Sequence, residues 1–312
     1  MQRVRTGAFL TALDHLFLLR PMLLPPVWTI GLLGYEQGRR WTGGGAGESP
    51  LIPIALFSLL TGGVYVHNQI TDIEGDRANQ KLFLLADGYI SERAATVQML
   101  LCYGGAIGLS FLHSARLGGL MVVGGLLGLL YNSPRFRWKD RPVRGLVYNL
   151  LAHGGLAFAV GWLAVAPPVG WLIVHALPYC LGVGAIYLNT TLPDIPGDRL
   201  AGKITIGVRQ GFQATCILAC LFLAGAVLAG FLLGDGFIAI PSLVCLPLFV
   251  WMAVNGRVAD VARATKIGVL ALSMAAVVVS PPYLLVLTVL FFGAKPYYRL
   301  RFGLNYPTFR NR

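Results

Sequence analysis

The chain has 312 residues, of which 56% are hydrophobic and only 12% are charged. Soluble domains carry about 25% charged residues, so this composition excludes an ordinary soluble domain and predicts a polytopic membrane protein. The net charge of +12 would suit an anionic partner, but the basic residues lie in short loops between apolar runs, as membrane topology requires. We therefore expect membrane lipids and an anionic substrate as partners, and no nucleic acid.

A membrane-spanning helix needs about 20 mostly apolar residues. The runs that approach this requirement lie at 16–34, 51–70, 94–112, 117–131, 145–166, 169–191, 212–233, 236–254 and 267–294. They predict an all-α, polytopic membrane protein with about nine transmembrane helices, forming a single transmembrane domain over residues 1–312. Pro281 and Pro282 interrupt the long last run, so we expect a kink or break there.

Lys and Arg residues are distributed unevenly between the two sets of predicted loops. One set holds most of them, whereas the alternate loops hold only Arg39, Arg40 and Arg116. Cytoplasmic loops carry the excess of positive charge, so the first set is predicted to be cytoplasmic. Nine crossings would place the basic C-terminal tail on the other side. Either the tail departs from the rule, or the last run doubles back.

A short acidic motif occurs twice, at 72–77 after the second run and at 194–199 after the sixth. An even number of crossings separates the two copies, so both are predicted to open on the cytoplasmic side. On a helix, Asn68, Asp72 and Asp76 share one face. Such oxygen ligands bind Mg²⁺, which usually also coordinates phosphate oxygens. The repetition predicts two acidic clusters that face one pocket and bind a diphosphate through Mg²⁺.

Other residues in the apolar runs have mainly structural interpretations. Three histidines are interpreted as packing residues: His67, His153 and His175. Two pairs of glycines have the spacing of close helix–helix contacts: Gly104 with Gly108, and Gly124 with Gly128.

The two acidic motifs resemble those of the UbiA superfamily of intramembrane prenyltransferases. That family has N-x-x-x-D-x-x-x-D after its second helix and D-x-x-x-D with a G-K-x-T-like stretch after its sixth, matched here by 68–76 and 194–205. It also has a Tyr-Ser-x-Pro-like segment with a basic residue after its fourth helix, matched in part by 131–139. The resemblance covers nearly the whole chain and implies a helical bundle around a central cavity.

The resemblance also implies a reaction of isoprenoid biosynthesis. Two Mg²⁺ ions bind an isoprenyl diphosphate, the diphosphate leaves, and a lipophilic acceptor in the membrane attacks the allylic carbocation. The implied metal ligands are Asn68, Asp72, Asp76, Asp194 and Asp198. The four aspartates and Tyr131 are the implied catalytic residues. The implied substrate-binding residues are Asn68, Arg77, Lys81, Lys139, Asn149, Arg199 and Lys203.

The residues before the second motif depart from the family pattern. Thr190 and Thr191 stand where some aromatic prenyltransferases have Lys-Asp, so a lipophilic or weakly acidic acceptor is favoured over a small aromatic acid. Quinone precursors, a chlorophyll-type alcohol acceptor, a glycerol-phosphate lipid and a carotenoid all remain open.

Two alternative functions remain open. A membrane transporter or channel would explain the spans and the polar groups at membrane depth, but not two acidic motifs on one face. A CDP-alcohol phosphotransferase also uses membrane aspartates with Mg²⁺, but its D-G-x-x-A-R segment precedes neither motif. Mg²⁺-dependent release of diphosphate from an isoprenyl diphosphate would distinguish a prenyltransferase from both.

Overall fold

The computed structural model describes residues 8–44, 47–78 and 84–308. These residues form α-helices and short helical turns, and no β-strand occurs among them. In chain order the helices of the first half are α1 (Ala8–Leu18), α2 (Pro25–Trp41), α3 (Leu51–Thr71), α4 (Ile73–Ala78), α5 (Glu92–His113), α6 (Ala115–Asn132), α7 (Pro142–Asn149) and α8 (Ala157–Trp162). Those of the second half are α9 (Gly170–Thr190), α10 (Ile195–Leu200), α11 (Ile206–Gln210), α12 (Phe212–Leu232), α13 (Gly236–Asn255), α14 (Val258–Val279) and α15 (Pro282–Phe302). The all-α prediction is confirmed.

Eight segments of the described chain are long and apolar enough to cross a membrane, and a bent helix pair makes nine. The bent pair joins Leu10–Leu23 to Pro25–Trp41 at an angle of 57°. The bend follows from local chemistry, because Arg20 has a positive φ of 51° and Pro21 and Pro25 each begin a new helical turn. Proline is favoured at the start of a helix and disfavoured within one. The prediction of about nine spans is confirmed.

The span at Pro142–Trp162 contains a π-helical turn, Leu150–Leu156, between α7 and α8. A π-turn adds a residue to the helical repeat and occurs mostly at functional sites. It packs closely on α9, because a Cβ added at Gly154 would lie 2.7 Å from the Cα of Cys180. Only glycine permits this approach without movement of one backbone.

The predicted last run forms parts of two helices, α14 and α15, with Ser280 and Pro281 between them. Near the end of α15, Arg301 Nη2 lies 2.7 Å from Asp14 Oδ2, a fully buried carboxylate. The Arg301 guanidinium also lies 4.3 Å from the ring centroid of Tyr89, in the segment after the first acidic motif. The last run therefore doubles back and returns the chain to the face that carries the first motif.

The helix α6 packs closely against α3. A Cβ added at Gly128 would lie 2.6 Å from Val64 Cγ2, and one at Gly124 would lie 2.9 Å from Leu60 Cδ2. The packing prediction holds for this pair of glycines. It is wrong for Gly104 and Gly108, where an added Cβ would meet nothing within 4 Å.

Candidate active site

A cavity of about 480 Å³ lies inside the bundle. One end is polar and is lined by Arg20, Asn68, Thr190 and Asp194. Most of the remaining wall is apolar and includes Val27, Ile30, Leu223, Ile238, Phe249 and Leu272. A cavity with one charged end and long apolar walls suits a ligand with an anionic head and an apolar tail.

The first acidic motif lies at the polar end, where α3 stops. Asp72 follows the last residue of α3 with a φ of −113°, and the Asp76 amide donates to the Asp72 carbonyl at 2.8 Å. The Asn68 Nδ2 group donates to Asp72 Oδ2 at 3.3 Å and to Asn132 Oδ1 at 3.0 Å. Asn68 and Asp72 therefore remain in contact although the helix is interrupted at Asp72, between α3 and α4.

Two lysines from later loops reach the Asp72 carboxylate. Lys139 Nζ lies 2.9 Å from Asp72 Oδ1, and Lys203 Nζ lies 3.5 Å from the same oxygen. Lys139 Nζ also donates to Thr71 Oγ1 at 2.7 Å. The loops that follow α3, α6 and α10 thus meet at one carboxylate, and the side chains of Lys139 and Asp72 are only 6% and 15% exposed.

The two lysines determine the ionisation of Asp72. Burial disfavours the carboxylate, but Lys139 and Lys203 outweigh burial and hold the pKa of Asp72 below its usual value. Burial also lowers the pKa of Lys139, and Asp72 opposes that shift. Asp72 is therefore ionised at neutral pH, and its charge is compensated within the protein.

The second acidic motif follows α9. Asp194 lines the cavity, and Asp198 accepts a hydrogen bond from Thr205 Oγ1 at 3.0 Å. Gly202 has a φ of 66°, a conformation that glycine adopts without steric cost. The turn at Gly202 ends α10 and directs Lys203 toward Asp72. This geometry gives a physical reason for the Gly-Lys-x-Thr sequence.

The acidic residues do not form a complete metal site by themselves. Within 8–44, 47–78 and 84–308, no three His, Cys, Asp or Glu side chains converge as a metal site. Mg²⁺ is usually held by one or two carboxylates together with substrate phosphates and water. The oxygen ligands of the two motifs at the end of one cavity therefore fit Mg²⁺ that binds together with a diphosphate.

Some of the predicted substrate-binding residues do not line the cavity. Arg77 and Arg199 are exposed, and Arg77 Nε donates to the Ala86 carbonyl at 3.3 Å. Arg77 therefore connects α4 to the segment before α5. Lys81 lies outside the described residues.

Aromatic side chains line the cavity beside its polar end. We call Tyr65, Tyr131, Tyr148 and His153 the aromatic cluster. The Tyr131 and Tyr148 rings stack with centroids 3.9 Å apart, and the His153 ring lies 6.2 Å from Tyr65 and 5.8 Å from Tyr148. Asn149 lines the same wall, and its Nδ2 donates to the Gly145 carbonyl at 2.9 Å. The cluster places aromatic faces next to the acidic motifs.

Two residues that line the cavity were not predicted from the sequence to do so. Arg20 was counted only as a loop charge, yet it lines the cavity and interacts electrostatically with Asp76 and Asp72. The prolines around it were the available signal, because they indicate a helix break inside the first run. His153 packs against the rings of Tyr65 and Tyr148, but it also lines the cavity, which was not predicted. His175 does pack, between the rings of two tryptophans.

Comparison with protein families matches residues 23–266 to the UbiA prenyltransferase family. The chain is 30% identical over 186 residues to 2-acylphloroglucinol 4-prenyltransferase from Humulus lupulus, covering 54% of this chain and 44% of that protein. It is 29% identical over 171 residues to digeranylgeranylglyceryl phosphate synthase from Halobacterium salinarum, covering 55% of this chain and 60% of that protein. Each alignment thus spans less than two thirds of the relative. A solved UbiA homolog from Archaeoglobus fulgidus bound to GPP and Mg²⁺ shares the fold, with a TM-score of 0.59 and 20% identity over 86% of this chain and 99% of that chain.

Proposed function

This chain belongs to the UbiA prenyltransferase family, and we propose that it transfers an isoprenyl group from an isoprenyl diphosphate to a lipophilic acceptor within the membrane. The observation that carries the proposal is the meeting of Lys139 and Lys203 at Asp72, at the polar end of an apolar cavity. A transporter would not need three loops to concentrate opposite charges at one end of the cavity.

The charged residues divide into two groups in this proposal. Mg²⁺ and diphosphate oxygens would be held by Asn68, Asp72, Asp76, Asp194 and Asp198. Lys139, Lys203 and Arg20 would contact the diphosphate. Without ligand, the two ammonium groups compensate Asp72. When the anionic donor binds, we expect both lysines to exchange Asp72 for phosphate oxygens, so that Asp72 becomes available to a cation. Bound Mg²⁺ supplies charge that stabilises the departing diphosphate.

The cavity walls then protect the reactive carbon. The C1–O bond of the donor breaks with both electrons going to the diphosphate, which leaves an allylic cation. Aromatic faces attract cations, so Tyr131 and Tyr148 of the aromatic cluster are positioned to stabilise that charge. The apolar wall keeps water away from the cation, and the acceptor forms the new bond to C1.

The acceptor is proposed to be lipophilic or weakly acidic. Among the described cavity residues, Arg20 provides the one Lys or Arg side chain, and it lies at the diphosphate end. Thr190 and Thr191 donate their hydroxyl groups to carbonyls of their own helix at 2.7 and 2.8 Å. The apolar part of the cavity therefore offers no cationic group for the carboxylate of a small aromatic acid.

The proposal is tested with purified protein, geranylgeranyl diphosphate, Mg²⁺ and a membrane-lipid extract. We expect diphosphate release that stops when EDTA is added, together with a prenylated lipid identified by mass spectrometry. Absence of Mg²⁺-dependent diphosphate release would contradict the proposed reaction. Efficient prenylation of 4-hydroxybenzoate in a parallel reaction, with no lipid product, would contradict only the proposed acceptor class.

A further inference from the structure

His153 is a cavity residue to which the proposed binding of diphosphate gives no role. It lies within the π-helical turn Leu150–Leu156, and its partly accessible side chain lines the cavity. The close contact of Gly154 with α9 holds this turn in place. The histidine is one helical turn beyond Asn149.

The imidazole of His153 is free to bind a ligand. Its ring contacts Tyr65 and Tyr148, and neither ring nitrogen has a hydrogen-bond partner within the part of the chain that the structure describes. By contrast, His15 Nδ1 lies 2.7 Å from Gln98 Oε1, and Nδ1 of both His67 and His175 is buried away from the cavity.

The attack on the allylic carbon releases a proton, which either a cavity residue or the departing diphosphate accepts. The titratable groups that line the cavity within the described residues are Arg20, Tyr65, Tyr131, Tyr148, His153, Tyr187, Asp194 and Cys245. Arginine has no basic form near neutral pH, and tyrosine and cysteine retain their protons there. Asp194 lies at the diphosphate end, where the proposed function assigns it to cation binding. The imidazole of His153, whose neutral form has an acceptor nitrogen, is the remaining side chain of the cavity that can accept this proton.

We propose that His153 is a catalytic residue that accepts the proton lost by the acceptor. This inference rests on the proposed prenyl transfer. The C1–O bond breaks with its electron pair on the diphosphate, the acceptor forms a bond to C1, and the acceptor proton moves to a ring nitrogen of His153. The resulting imidazolium returns its proton to the diphosphate or to water as the products leave. Protons, electrons and charge then balance over one turnover.

The groups that face His153 make its charge state important. The rings that contact it are those of Tyr65 from α3 and Tyr148 from the same span, and both are uncharged at neutral pH. A protonated His153 cannot accept a proton, and its positive charge would lie beside the allylic cation. His153 therefore has to be neutral when the acceptor attacks.

The test compares His153→Gln with His175→Gln, a matched change in an intramembrane histidine outside the cavity. Each protein receives geranylgeranyl diphosphate, Mg²⁺ and the membrane-lipid extract at neutral pH. The readouts are diphosphate release, the donor KM, and the ratio of prenylated lipid to geranylgeraniol. His153→Phe, which keeps an aromatic ring between Tyr65 and Tyr148, serves as the second variant if His153→Gln does not fold.

We expect both His153 variants to lose about a hundredfold or more in prenylated product. The donor KM should stay close to that of the wild type, and geranylgeraniol should become the main product. His175→Gln should behave as the wild type does. A His153 variant with an unchanged product ratio would overturn this inference alone. A wild-type protein that releases no diphosphate would overturn the proposed function with it.

Discussion

The contact between Asp72 and its two lysines predicts that Asp72→Asn affects both stability and turnover. At 2.9 Å, the Coulomb attraction between Asp72 and Lys139 is about 6 kcal/mol at an effective dielectric constant of about 20. Desolvation offsets much of this attraction, and removal of one partner from a buried pair typically costs about 3–5 kcal/mol. We expect about 3 kcal/mol, because Lys139 keeps its hydrogen bond to Thr71 and Asp72 is 15% exposed.

The matched control is Glu74→Gln, which removes an exposed carboxylate from the same motif. Its free energy of unfolding should stay within about 0.5 kcal/mol of the wild type, and its turnover should be unchanged. Unfolding is followed by denaturant titration in detergent with EDTA, and turnover by Mg²⁺-dependent diphosphate release. Asp72→Asn should lose turnover completely, because it removes a charged ligand of the proposed Mg²⁺ site.

The stability difference between the wild type and Asp72→Asn should depend on pH. The pKa of Asp72 is held below its usual value of 3.8, so the ionised group stabilises the fold at any pH above that value. The contribution is lost as the pH falls through the lower, folded-state pKa. The reasoning is refuted if Asp72→Asn matches Glu74→Gln in stability at neutral pH, or if it retains normal turnover.

Three further predictions concern topology, donor length and the C-terminal helix. In a background without the native cysteines, Asn305→Cys and Arg199→Cys should both react with a membrane-impermeant thiol reagent from the cytoplasmic side; labelling of either from outside would contradict the topology. Gly182→Leu, which fills the cavity wall, should lower kcat/KM at least tenfold for geranylgeranyl diphosphate relative to geranyl diphosphate. Gly104→Leu, which faces open space, should leave kcat/KM unchanged for both donors. If Gly182→Leu and Gly104→Leu have equal effects, this explanation of donor length is rejected. Arg301→Gln should lower the free energy of unfolding by about 3–5 kcal/mol, because it leaves a buried carboxylate unpaired; a loss below about 1 kcal/mol would show that the pair is not needed.

Most of the fold follows from regularities that a single sequence displays. Apolar runs of membrane length predict the spans. The distribution of Lys and Arg leaves two possibilities for the last run, and one of them is that it doubles back. The spacing of Asn68 and Asp72 predicts their shared helical face, which the hydrogen bond between them bears out. These features depend on neighbours in the chain, so a local pattern suffices to predict them.

The remaining features depend on contacts between distant segments. Lys203 reaches Asp72 because the glycine before it adopts a positive φ. The spacing of the two motifs in the sequence does not predict the direction in which the chain leaves this glycine. His153 lines the cavity one helical turn after Asn149, but a single histidine in an apolar run carries no sequence signal that distinguishes a cavity wall from a packed interface. Gly104 and Gly108 have the spacing of a packing motif, but α5 presents that face to open space.

Because the last helix doubles back, a domain fused behind the C-terminal tail would lie near the polar end of the cavity. The rings of Tyr306 and Tyr298 pack edge to face with centroids 4.8 Å apart. Tyr298 interacts electrostatically with Arg20, which lines the cavity. A soluble enzyme joined behind this tail through a short linker would therefore release its product close to the polar end of the cavity. If that enzyme synthesised isoprenyl diphosphates, the fusion would raise the local donor concentration where the donor is consumed, and its rate would depend on linker length as tethered reactions do.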